Sequence, residues 1–237
     1  MGEINFGKLS ISAPTRKILF APKDTTKLVI TLNAQIIVEG HENHRLGNFI
    51  NQNTATIDGA IPYWILRLKK PRTTLEKISG SDLIYDIAQI AKQENKRILL
   101  IGGNEDSNKL AVKRLKEDYK IEVKGYTFPK VPYPFPTLIQ TDITNLINEF
   151  KPHYIFIGLG APKQEYWMED NNELLQENNV EMAIGCGGTF DFVSQKIPRA
   201  PRLVQAIGLE GIFRLLMEPK WFRVKRIFQS FRVFSYL

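Results

Sequence analysis

Residues 155–165 read IFIGLGAPKQE, and this stretch decides the fold. The apolar run at 154–157 has the length and composition of a strand buried on both faces. Gly158 and Gly160 follow, then Pro162, which suits a first helical turn because that turn has no use for its missing N–H. A glycine turn between a buried strand and a helix start leaves backbone amides pointing outward, and the helix dipole adds partial positive charge there. Lys163, Gln164 and Glu165 fall in that first turn, at the rim of any pocket above the sheet. Two readings fit: a cradle for a phosphorylated ligand, or a tight strand-to-helix turn with exposed polar residues.

The same alternation extends outward in both directions. Strands are expected at 27–32, 54–57, 97–101, 121–126, 154–157 and 180–184, and helices at 34–50, 60–68, 83–94, 105–116, 142–150 and 162–177. Gly80, Ser81 and Asp82 precede helix 83–94, which sets Leu83, Ile87, Ile90 and Ala91 on one face, Pro71 stops helix 60–68, and Gly40 weakens the middle of helix 34–50. Residues 1–26 give only β-prone stretches that fit an edge hairpin. Pro129, Pro132, Pro134 and Pro136 mark an ordered loop. About six rounds of strand and helix predict an α/β fold, a parallel sheet with helices on both faces. Ligands of such sheets sit beyond the carboxyl ends of the strands. That rule gathers Asn33, Asp58, Gly102, Gly103, the 158–165 turn, Gly187, Gly188 and Thr189 onto one edge.

The 237 residues are 43% apolar and 24% charged, the balance of a folded soluble protein. A single cysteine, Cys186, excludes an internal disulfide framework and fits a reducing compartment. No apolar run is long enough for a secretory leader or a bilayer span, so neither is expected. The formal net charge is +7, and residues 199–237 alone carry eight basic residues against Glu210 and Glu218. A basic end on a nearly neutral body implies an anionic partner. Placed on a helix, Trp221, Val224, Ile227, Phe228, Phe231 and Phe234 share one arc, with Arg223, Lys225, Arg226 and Arg232 mostly elsewhere. That pattern favours a helix lying in a lipid headgroup layer over one docked on the domain with its basic face in water. Nucleic acid is disfavoured because no second basic patch accompanies the tail.

Asp58 is the candidate base. It follows a strand and precedes Gly59, so its carboxylate can project over the sheet edge while the backbone turns. A partly desolvated carboxylate can take a proton from a sugar hydroxyl. The competing reading is an Asp-Gly turn or a cap for the next helix. The loop GCGGTFD, 185–191, could lay amides on a diphosphate or nucleobase, but it is not a full GxGxxG, and no GxxxxGK[ST] occurs. His41, His44 and His153 read as surface residues rather than metal ligands, and Cys186 as a packed thiol.

Taken in order, TLN (31–33), DG (58–59), EKISGSDL (76–83), LLIGG (99–103), IGLGAPKQE (157–165), GCGGTFDF (185–192), RAP (199–201) and GLEGIFRLLMEP (208–219) cover about 200 residues. The ordered set resembles the WecG/TagA/CpsF family of bacterial glycosyltransferases. The resemblance implies a Rossmann-like core over 1–198 and a basic, amphipathic helical appendage over 199–237 that binds membrane and closes over the site. It implies inverting transfer of N-acetylmannosamine or its uronic acid from a UDP-sugar donor to the 4-hydroxyl of N-acetylglucosamine on undecaprenyl diphosphate. In that scheme Asp58 is the general base, and Thr31, Asn33 and Gln164 line the pocket. Lys77, Gly102, Gly103, Gly187, Gly188 and Thr189 are further substrate contacts. Arg214, Arg223 and Arg226 reach the donor diphosphate. Guanidinium groups and helix N-termini can replace a divalent metal, so metal-independent activity is expected.

The resemblance also implies a peripheral protein on the inner face of the cell membrane, with a homo-oligomer as an open possibility. Two departures bear on sugar specificity. Lys77 stands where the family usually has arginine, and TLNAQ (31–35) stands where it has TPNPE. The alternatives from other classes are a different UDP-hexose donor, a nucleotide-binding protein without transferase activity, and a tail that drives oligomerisation.

Overall fold

A computed structural model of the chain describes residues 4–196, 201, 204, 210–217, 224, 228 and 231–236. Its central sheet has six strands, and helices flank it, as the alternation predicted. By internal contacts the chain divides into two compact units, one holding residues 1–21, 30–79 and 198–237 and the other holding 22–29 and 80–197.

The first unit opens with β1 (Ile4–Phe6) and β2 (Leu9–Ile11), an antiparallel hairpin that forms its own two-stranded sheet. A short helix α1 (Arg16–Leu19) precedes β3 (Lys27–Leu32), which is mostly apolar and buried along its last five residues. Residues 34–50 were expected as one helix and form two, α2 (Ala34–Glu42) and α3 (His44–Gln52). The break is at Asn43, whose extended backbone ends α2 while its side chain accepts from Leu46 N at 3.1 Å and caps α3. Gly40 and Gly47 mark the crossing of the two helices. A Cβ on Gly47 would sit 2.5 Å from the Gly40 carbonyl oxygen. β4 (Thr54–Ile57) and α4 (Ala60–Lys69) follow.

The second unit runs α5 (Gly80–Glu94), β5 (Ile98–Gly102), α6 (Glu105–Tyr119), β6 (Val123–Tyr126), α7 (Thr137–Phe150), β7 (Tyr154–Gly158), α8 (Lys163–Asp170), α9 (Asn172–Glu177), β8 (Met182–Gly185) and α10 (Thr189–Val193). β5 pairs in parallel with β6 and β7, and β7 with β8. The full sheet order is β4-β3-β8-β7-β5-β6. α7 starts five residues earlier than expected, directly after Pro136. The helix expected over 162–177 is divided at Asn171, whose side-chain amide donates to the Trp167 carbonyl at 2.8 Å. α10 was not anticipated. Its five residues are too few to show a helical period.

Candidate active site

In the second unit, register alone puts three turns side by side. Gly102 pairs with Gly158 and Ile157 with Gly185, so the chain leaves β5, β7 and β8 at one edge. Gly102 and Gly103 have φ of 84° and 77°, which side-chain-bearing residues avoid, and Gly103 N donates to Gly158 O at 3.0 Å. The ring of Phe190 lies under both turns: a Cβ on Gly103 or on Gly158 would come within 2.7 Å of it. Glycine is therefore required here by close approach as well as by φ.

Gln164 and Glu165 depart from expectation. Both were expected at a pocket rim, yet Gln164 is 1% exposed and Glu165 is fully buried. The first turn of α8 faces the sheet, and Gly185 leaves room for it, since a Cβ there would meet Gln164 Nε2 at 2.7 Å. Gln164 Oε1 accepts from Gly160 N at 3.2 Å and from Gly187 N at 3.1 Å, while Gln164 Nε2 donates to Glu165 Oε1 at 2.8 Å. One amide thereby fastens the β7 turn to the β8 turn. The Glu165 carboxylate fixes its orientation, because a carboxylate accepts only from the NH₂ side. The amides of Gly160 and Gly187, which the sequence reading pointed outward, are held by this contact.

Thr189 is buried, and its hydroxyl donates to the Cys186 carbonyl at 2.8 Å. Gly103 and Gly188 are the exposed backbone of these turns, and Gly187 is half-buried. Lys163 donates to the Val131 carbonyl at 2.7 Å and ties the proline-rich loop to the start of α8. Burial pushes the Cys186 thiol up to about 12, so it is a packed sulfhydryl at neutral pH.

In the first unit, the ends of β3 and β4 bring together the other set. Asp58 N donates to Leu32 O at 2.7 Å, and Ile57 bridges in parallel to Lys77. Asn33, Asp58 and Lys77 are thus neighbours along the backbone. Asn33 caps α2, its Oδ1 accepting from Ile36 N at 3.0 Å, and Thr31 is buried in β3. Asp58 is half-buried, and the N-cap position of α4 falls to Gly59 at φ 95°. Among the described residues no three His, Cys, Asp or Glu side chains form a group that could hold a metal ion.

The sequence pattern of the glycosyl transferase WecG/TagA/CpsF family matches residues 2–237. The chain belongs to that family. This glycosyltransferase is similar to the N-acetylglucosaminyldiphosphoundecaprenol N-acetyl-beta-D-mannosaminyltransferase of Staphylococcus aureus (strain MW2), with 28% identity over 229 residues, 93% of this chain and 83% of the relative.

Of the arginines expected at the donor in this glycosyltransferase, Arg214 lies on helix Glu210–Met217, while Arg223 and Arg226 lie outside the described residues. The last described turn, a 3₁₀ segment Arg232–Tyr236, docks on the end of α2. Val233 is buried, Tyr236 stacks on His41 at 4.1 Å and donates to Glu42 Oε1 at 3.0 Å, and Arg232 pairs with Glu42. His41, read as a surface residue, is buried by this contact, whereas His44 is exposed. Phe228, Phe231 and Phe234, placed on one arc by the sequence, are all exposed. No helix among the described residues is long and apolar enough to cross a membrane.

Sequence reasoning gave Glu165 and Phe190 no supporting role beneath these turns. A signal existed for each: two consecutive polar residues entering a helix from a buried strand, and an aromatic two residues past a glycine pair.

Proposed function

We propose that this glycosyltransferase moves an N-acetylmannosamine-type sugar from UDP to the 4-hydroxyl of N-acetylglucosamine on undecaprenyl diphosphate, with inversion. The observation that carries the reading is family membership along nearly the whole chain, together with a relative whose name gives N-acetylmannosaminyl transfer to N-acetylglucosaminyldiphosphoundecaprenol. Asp58 takes the proton of the acceptor hydroxyl as the new bond forms at the anomeric carbon. The bond from that carbon to the diphosphate oxygen breaks, and UDP departs with the negative charge. Asp58 suits the role because its backbone is held by Leu32 O while its side chain is only half-buried. Charge on UDP is met by Arg214, Arg223 and Arg226, without a metal ion. Thr31, Asn33 and Lys77 orient the sugars.

The enzyme works as a peripheral protein at the membrane that holds its acceptor. The exposed Phe228, Phe231 and Phe234 and the basic tail support that placement. A panel of UDP-sugars with a polyprenyl-diphosphate N-acetylglucosamine analogue, scored by product mass, tests the donor. UDP-N-acetylmannosamine is expected to give the leading product, and preference for another UDP-hexose would replace it. Activity should survive EDTA. Loss restored by magnesium or manganese would end the metal-free scheme.

A further inference from the structure

Helix α4 begins directly after the Asp58-Gly59 turn, and its two faces differ sharply. Ala60, Pro62, Ile65 and Leu66 are buried. On the outer side Trp64 is 53% exposed and Leu68 81% exposed, and their spacing of four makes them neighbours on one stripe. Tyr63 meets Trp64 edge-on, with ring centroids 5.5 Å apart. Arg67, Lys69, Lys70 and Arg72 are exposed around the end of the same helix, and no acid occurs between Asp58 and Glu76, so a second basic patch is present that the sequence reading did not count.

Isolated apolar residues at a surface are ordinary, and a water-facing helix usually mixes its charges. α6 is such a helix. Its half-exposed Leu110 lies among Glu105, Asp106, Lys109, Lys113 and Glu117, and Lys109 pairs with Glu105. α4 and the turn after it carry four cations and no acid, and α4 exposes a tryptophan beside a leucine. An indole and an aliphatic chain flanked by cations with no acid in the same segment match the depth profile of an anionic lipid surface: apolar groups at the acyl boundary, cations at the phosphates.

We propose that the outer face of α4 enters the headgroup layer of an anionic membrane and thereby holds the Asp58 turn at that surface. The occupant is lipid because the face offers both complementary charge and apolar side chains. Trp64 lies only about 8 Å along the helix axis from Gly59, at 1.5 Å per residue. A diphosphate-linked sugar protrudes from the same layer, so this contact sets the height of the base relative to the acceptor. The inference rests on the reading of Asp58 as base toward a lipid-linked sugar, and it is separate from the role given to the tail.

Tryptophan fluorescence tests it on the full chain. The three tryptophans are Trp64, Trp167 and Trp221, and Trp167 is fully buried, so it serves as an internal reference. In a Trp221→Phe protein, vesicles of equal phosphatidylcholine and phosphatidylglycerol with brominated chains should quench and blue-shift Trp64. Adding Trp64→Phe should abolish the quenching. Lys70→Gln with Arg72→Gln should weaken vesicle binding about fivefold for each charge removed. Trp64→Ser with Leu68→Ser should lower turnover of a vesicle-borne acceptor while sparing a soluble analogue.

If the Trp221→Phe protein sediments with vesicles but Trp64 stays unquenched, the α4 contact is overturned and the tail reading stands. If Trp64 is quenched in a chain whose Trp221 is not, the α4 contact stands and the tail reading falls. No vesicle binding by the wild type overturns both. Shielding of Trp64 from acrylamide as protein concentration rises, without lipid, would assign the face to a second copy and also overturn the proposal.

Discussion

The turns that close β7 and β8 and the turn that closes β4 occupy the same kind of place, the carboxyl end of a buried strand, yet they treat their polar groups in opposite ways. After β7 and β8, Gln164 and Thr189 turn inward and are committed to backbone partners. After β4 the backbone of Asp58 is held by Leu32 O, and its side chain is left half-buried. The first arrangement makes stiff turns whose exposed surface is main chain. The second sets a half-buried carboxylate on a backbone held in place, which suits the role proposed for it.

The sharpest way to break this contrast is Asp58→Asn. The substitution keeps the shape and removes the carboxylate proposed as base, so turnover should fall by about 10²- to 10⁴-fold. UDP affinity, measured by calorimetry, should stay near that of the wild type. A loss that appears as weaker UDP binding with turnover unchanged would make Asp58 a binding residue.

Gln164→Leu tests the opposite half. It leaves the Gly160 and Gly187 amides without their acceptor, and burying an unsatisfied donor costs about 1–3 kcal/mol. Unfolding in urea should show a loss of about 2–4 kcal/mol. Hydrogen exchange at those two amides, 27 residues apart, should accelerate together. Acceleration at only one would show that the turns are not fastened by a single group.

The smallest effect should come from the opposite edge of the sheet. His153 Nδ1 accepts from Arg97 N at 3.1 Å, and burial holds its pKa below the ordinary 6.5. The unfolded chain therefore takes up the proton first as pH falls through 6.5, and stability drops there. It levels off once the folded imidazole is also protonated. Denaturation midpoints followed from pH 8 to pH 5 should show a shallow fall that His153→Gln flattens. Because the ring is only partly buried, the fall should be slight. A fall of equal depth in the variant would assign it to other groups.

Much of the fold was legible from local pattern. β3, β5 and β7 are runs buried on both faces, and such runs stand out without knowledge of their neighbours. The glycine positions at 102, 103, 158 and 187 were legible for a similar reason, since strand-to-helix turns of this kind favour glycine. The break at Asn43 was not. An asparagine reads equally as helix interior or as cap, and the crossing at Gly40 and Gly47 selects the cap. The burial of Gln164 and Glu165 was hidden for the same reason, because their periodicity matches that of an exposed first turn.

Sequence alone determined the α/β alternation, the family and the residues from which a site can be drawn, because each of these depends on near neighbours along the chain. Tertiary structure decided which polar groups face inward. That choice depends on partners far off in sequence, such as Gly187 for Gln164 and Tyr236 for His41. A hydrogen bond between distant segments leaves no period in the residues that make it.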